Sequence, residues 1–99
     1  MKPVTNKYWY VHWWYLFYLL DKSSHEFAVD KIWECLTANV NIYYHDAVLP
    51  SDIESVKIKH EEIYRTKSTI LVESRLYVKN KLHVTATFTF IKIKNERKN

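Results

Sequence analysis

Ninety-nine residues with a formal charge of +4, of which 47% are hydrophobic and 16% aromatic, fit one folded domain and exclude a disordered chain. Glycine is absent, which excludes glycine-rich phosphate loops and dinucleotide fingerprints. The single cysteine, Cys35, excludes an intrachain disulfide and points to a reducing, cytoplasmic setting.

The chain opens on a loose lead-in over residues 1–7, where Pro3 disfavours regular structure. Residues 8–20 contain no Asp, Glu, Lys or Arg, and Lys7 bounds them on one side, Asp21 and Lys22 on the other. A membrane-spanning helix needs about 20 apolar residues, so this run predicts a buried segment rather than a span. It also lacks the small-residue cleavage site of a signal peptide.

Two starts are open for the helix that follows. Trp13, Phe17, Leu20 and Ser24 share a helical face, which sets the start near Trp13. Alternatively, Ser23 and Glu26 form a capping box near Ser24, with Ala28, Ile32, Cys35 and Leu36 recurring at helical spacing to about Ala38. In that second reading residues 8–20 form a long first strand.

From Asn39 the period changes to two, with Val40, Ile42 and Tyr44 alternating with Asn41, Tyr43 and His45. Pro50, Ser51 and Asp52 mark a loop over residues 46–52. A long strand over 53–64 slips out of phase near residues 60–62, where a bulge fits. Arg65, Thr66 and Lys67 turn the chain into a strand over 69–78, with Ile70, Val72, Leu76 and Val78 on one face. Asn80 and Lys81 read as a tight hairpin turn, Asn taking the positive φ where Gly is missing. Leu82, Val84, Ala86, Phe88 and Phe90 then alternate with His83 and three threonines. Residues 94–99 read as a frayed basic tail.

This order predicts an α+β domain over residues 1–99: one central helix packed on an antiparallel sheet that ends near Ile93. Leu71, Tyr77, Ile91 and Ile93 leave apolar surface on the second sheet face. Together with the aromatic excess, that surface predicts a homodimer.

Two stretches resemble the hotdog fold of acyl thioesterases. VNIYYHDAVLPSD, residues 40–52, is similar to that family's central strand and following loop, with Ser51 where the family carries Gly. Residues 56–93, VKIKHEEIYRTKSTILVESRLYVKNKLHVTATFTFIKI, are similar to its three closing strands. Together these cover a little over half of the chain. VHWWYLFYLLDK, residues 11–22, resembles the His-Gly-Gly turn that leads into the family's central helix, with Trp13 and Trp14 in place of the glycines.

The resemblance implies an acyl-thioester hydrolase acting on acyl-CoA or acyl-carrier-protein substrates in a groove between protomers. It places Asp21 at the catalytic helix position of one branch, as general base or nucleophile. His12 would donate to the thioester carbonyl and Ser24 would hold a water. Trp13, Trp14, Phe17 and Tyr44 would line the acyl end. The alternative is a non-catalytic acyl-binding or protein-interaction module of hotdog-like or cystatin-like fold.

No cofactor is implied. The five histidines are scattered without paired-ligand spacing, so no metal site is expected. No serine lies in a glycine-flanked nucleophile elbow. The strand lysines, Lys57, Lys59, Lys79 and Lys81, are interleaved with Glu54, Glu61, Glu62 and Glu73. That mixture predicts a solvated face, with no nucleic-acid partner.

Overall fold

The computed structural model describes residue 5 and residues 10–93; the tail expected at 94–99 lies outside them. Helix α1 spans Trp13–Ile32. No Pro or Gly interrupts it, and Leu16, Leu20, Ser24, Ala28 and Ile32 form one buried stripe at intervals of four. His12 caps its start: Nδ1 accepts a hydrogen bond from the Trp14 amide at 3.3 Å. The earlier of the two starts is therefore the correct one. Ser23 and Glu26 lie mid-helix, and Glu26 pairs with Lys22 at 3.3 Å instead of capping. Residues 13–20 are helical, which overturns the extended first strand of the cystatin-like reading.

The helix does not continue to Ala38. Trp33 takes φ 80° and ψ −165°, and its amide donates to the Val29 carbonyl at 2.9 Å. With no glycine to take this conformation, an exposed tryptophan holds it. Cys35 and Leu36 then open strand β1, Cys35–Tyr44. A 3-10 helix over Pro50–Ser55 occupies the end of the next loop. Strands β2 (Val56–Arg65), β3 (Thr69–Val78) and β4 (Lys81–Lys92) complete the chain.

All pairings are antiparallel, in the order β1-β4-β3-β2. The β2-β3-β4 run is a meander, and β1 closes its far side. Lys79 and Asn80, at φ 51° and 70°, form the hairpin turn. Two consecutive positive φ values are the type I′ pattern that matches the strand twist. The turn thus sits one residue earlier than Asn80 and Lys81. The expected bulge falls between Glu62 and Tyr64, and a second one interrupts β1 between Thr37 and Asn39.

The helix covers one sheet face. Ile70, Val72, Leu76, Val84, Ala86, Phe88 and Phe90 are buried beneath it. Phe88 and Phe90 stack at 5.7 Å, and Phe17 of α1 meets Phe88 at 6.3 Å. This is the expected α+β architecture, one central helix on an antiparallel sheet as in hotdog folds. The opposite face carries Arg75, which pairs with Glu61 at 3.2 Å and Glu73 at 2.9 Å. No helix among the described residues is long and apolar enough to cross a membrane.

Candidate active site

Successive residues of a helix advance by about 100°. A helix lying on a sheet therefore has a buried underside and two flanks. On α1 the stripe ending in Ile32 is the underside. Tyr18, Asp21 and His25 fall on the flank beside β1, Leu19 and Ser23 on the flank beside β2, and Lys22 and Glu26 border both.

On the β1 flank, Asp21 is half-buried and accepts a hydrogen bond from Thr37 Oγ1 at 3.3 Å. His25 Nε2 lies 2.8 Å from the Cys35 carbonyl. A carbonyl only accepts, so that nitrogen carries the proton. Tyr18, Asp21, His25, Cys35, Leu36 and Thr37, with the Lys22–Glu26 pair, line an open groove of about 440 Å³. Burial pushes the Cys35 thiol above its ordinary value, so it is a poor nucleophile in this groove. Two carboxylates, Asp21 and Glu26, line this groove; Asp21 is hydrogen-bonded to Thr37, and Glu26 is paired with Lys22.

His12 does not join Asp21. Nine residues of helix separate them, roughly 13 Å of axial rise, and the His12 ring is engaged in capping. It lies against Trp13 and Trp14, at 5.7 and 6.1 Å between ring centroids. Ser24 does not reach the Asp21 groove either. It is wholly buried on the underside, and its Oγ lies 2.6 Å from Ser74 Oγ. Trp13 and Tyr44 do come together, the Tyr44 hydroxyl donating to the Trp13 carbonyl at 3.2 Å. With Tyr10, Leu16 and Asp46 they line a groove of about 430 Å³ at the start of the helix. Phe17 packs into the core, and Trp14 is an exposed neighbour of His12.

The β2 flank holds a cluster that the sequence reading did not assemble. His60, on the covered face of β2, presents Nε2 to Ser23 Oγ at 2.6 Å and Nδ1 to Ser74 Oγ at 2.7 Å. Ser74 continues to Ser24, so one hydrogen-bonded chain runs from the flank to the underside of α1. His60 and Ser74 are cross-strand partners, and the Phe27 ring lies 5.3 Å from the imidazole. Burial holds the His60 pKa below the ordinary histidine value. The signal in the sequence was Ser74 itself, a polar residue at the core-facing centre of Ile70, Val72, Ser74, Leu76 and Val78.

Among the described residues, no group of three or more His, Cys, Asp or Glu side chains gathers where it could hold a metal ion.

No protein-family model matches the chain, and no curated protein matches it significantly. Its fold is nevertheless shared with solved structures. A hypothetical thioesterase from Streptococcus pneumoniae TIGR4, crystallised with coenzyme A, is 22% identical with a TM-score of 0.77, over 90% of this chain and 74% of that one. A Streptococcus mutans UA159 protein bound to acetyl CoA is 18% identical with a TM-score of 0.81, over 96% and 79%. The hexameric thioesterase of Yersinia pestis is 17% identical with a TM-score of 0.82, over 96% and 82%. The likeness defines the fold of this chain as the hotdog type.

Proposed function

We propose that this chain hydrolyses acyl thioesters of the acyl-CoA or acyl-carrier-protein type, with Asp21 as general base or nucleophile in the groove along β1. The observation that carries this reading is the placement of Asp21: half-buried on an exposed helix flank, oriented by Thr37, beside an open groove. The coenzyme A and acetyl CoA bound by two proteins of the same fold support the substrate class. A water activated by Asp21, or the carboxylate itself, would attack the carbonyl and release the thiol.

The groove is completed by a second copy. Strand β1 is a sheet edge with the sequence CLTANVNIYY, free of charged side chains, whereas the opposite edge, β2, reads VKIKHEEIYR. Charges on an edge prevent strand pairing, and their absence from β1 leaves it open to a partner. Leu36 and Tyr43 are exposed on it. A homodimer paired along β1 would bring a second chain against the Asp21 groove.

The separation of His12 from Asp21 favours a second reading, an acyl-binding protein that does not turn its ligand over. Hydrolysis of short and long acyl-CoA substrates by wild type and Asp21→Asn tests the first reading. Turnover lost in a folded Asp21→Asn establishes it. Saturable acyl-CoA binding without turnover establishes the second. Neither binding nor turnover across chain lengths overturns both.

A further inference from the structure

The hydrogen-bonded chain on the β2 flank has the parts of a nucleophilic centre: a hydroxyl, a base within reach of it, and a third group that holds the base. Ser23 Oγ is 2.6 Å from His60 Nε2, and His60 Nδ1 is 2.7 Å from Ser74 Oγ. Ser74 is wholly buried and tied in turn to the equally buried Ser24. The imidazole is therefore fixed from its far side by groups that have no water to turn to.

Protons can run through this chain in one direction without leaving a group unsatisfied. Ser23 Oγ–H donates to Nε2, Nδ1–H donates to Ser74, and Ser74 donates to Ser24. In this arrangement Nε2 is a base facing a hydroxyl.

The nucleophile also faces a cavity. Ser23 lines an open groove of about 510 Å³ together with Tyr15, Leu19, Ile53, Val56 and Ile58 and the Lys22–Glu26 pair. Four aliphatic side chains and Tyr15 form the apolar part of the groove, which suits a short apolar acyl chain with its carbonyl at Ser23.

We propose that Ser23 and His60 form a second acyl-transfer centre, on the opposite flank of α1 from Asp21, which accepts uncharged esters with short apolar acyl groups. Ser23 Oγ attacks the ester carbonyl as its proton passes to His60 Nε2. Lys22 and Glu26 line the same groove as an ion pair at 3.3 Å. The carbon–oxygen bond to the leaving alcohol breaks, and the alcohol takes the proton from Nε2. Water then attacks the acyl-Ser23 ester with His60 as base. The bond to Oγ breaks, the carboxylic acid departs and Ser23 regains its proton. Burial lowers the His60 pKa, which holds the ring in the unprotonated form that can accept the Ser23 proton at neutral pH. Ser74 is a positioning residue.

The experiment is incubation of the full chain with p-nitrophenyl butyrate and, separately, with a fluorophosphonate, followed by peptide mass spectrometry. The expected result is a butyryl or phosphonyl adduct on Ser23, absent in Ser23→Ala. His60→Gln should slow adduct formation by at least ~100-fold, the lower range for loss of a general base. Ser74→Ala should slow it as well in protein that remains folded, and Ser74→Thr, which keeps the hydroxyl, should restore it. Asp21→Asn should label Ser23 like wild type, so the two centres fail or stand separately. Folded wild-type protein that stays unlabelled at Ser23, or labelling that survives in folded His60→Gln at the wild-type rate, overturns the proposal.

Discussion

Asp21 and Ser23 stand two residues apart on α1 and face opposite flanks of it: Thr37 on β1 holds the first at 3.3 Å, and His60 on β2 meets the second at 2.6 Å. A two-residue step turns a helix by about 200°. One short stretch thus supplies two candidate reactive groups that cannot share a substrate.

For the Asp21 groove, Asp21→Asn should lower kcat for acyl-CoA hydrolysis by about 100-fold or more, the lower range for a general base. Thr37→Ala removes only the group that orients the carboxylate, and should give a smaller loss, mainly in kcat. Steady-state kinetics on the two folded variants checks the order; equal losses would contradict it.

The buried hydroxyls predict an unequal pair of stability losses. Ser24→Ala leaves Ser74 bonded to His60, whereas Ser74→Ala strands both Ser24 and His60 Nδ1. Each buried polar group left without a partner costs about 1–3 kcal/mol. Urea denaturation should therefore show Ser74→Ala as the more destabilised variant.

Acid should weaken the fold through His60. Burial holds its folded pKa below the unfolded value of about 6.5, so the unfolded chain binds more protons between the two. The stability contributed by the neutral ring is intact above about pH 6.5 and is lost as the pH falls through the folded pKa. The urea midpoint of wild type should drop between pH 7 and pH 5, and that of His60→Gln should drop less. Parallel pH dependences would contradict this.

Replacement of Trp33 by glycine should stabilise the protein. Its φ of 80° with ψ −165° lies in a region open to glycine, and the side chain is 70% exposed, so little packing is lost. Strain of this kind costs on the order of 1–3 kcal/mol. Trp33→Gly should recover part of that and raise Tm, while Trp33→Ala, which keeps a Cβ, should not.

Dimerisation along β1 should fail when the edge is charged. Asn39 and Asn41 are exposed on β1 and face away from the helix-covered core. The double variant Asn39→Lys, Asn41→Lys should elute as a monomer by light scattering and lose thioesterase activity with its partner. A wild type that is already monomeric would remove the proposed inter-protomer groove.

The sequence by itself determined the strands from Asn39 onward and a helix after Ser24, because their causes are local. Alternation along β3 and β4 is written in side-chain order, whereas residues 8–20 fitted a helix or a strand until the tertiary structure made residues 13–20 helical. The tertiary structure decided where the helix ends. Helical spacing runs through Cys35 and Leu36, but pairing with Lys92 and Ile91 of β4 claims them for β1. It also decided which polar residues meet. Asp21, placed by resemblance, does lie beside a groove, whereas His12 is held a dozen or so ångströms away by the rigid rise of the helix between them. Ser23, His60 and Ser74 lie 37 and 14 residues apart in successive contacts. No local spacing encodes such a meeting; it follows from a helix laid across the centre of two paired strands.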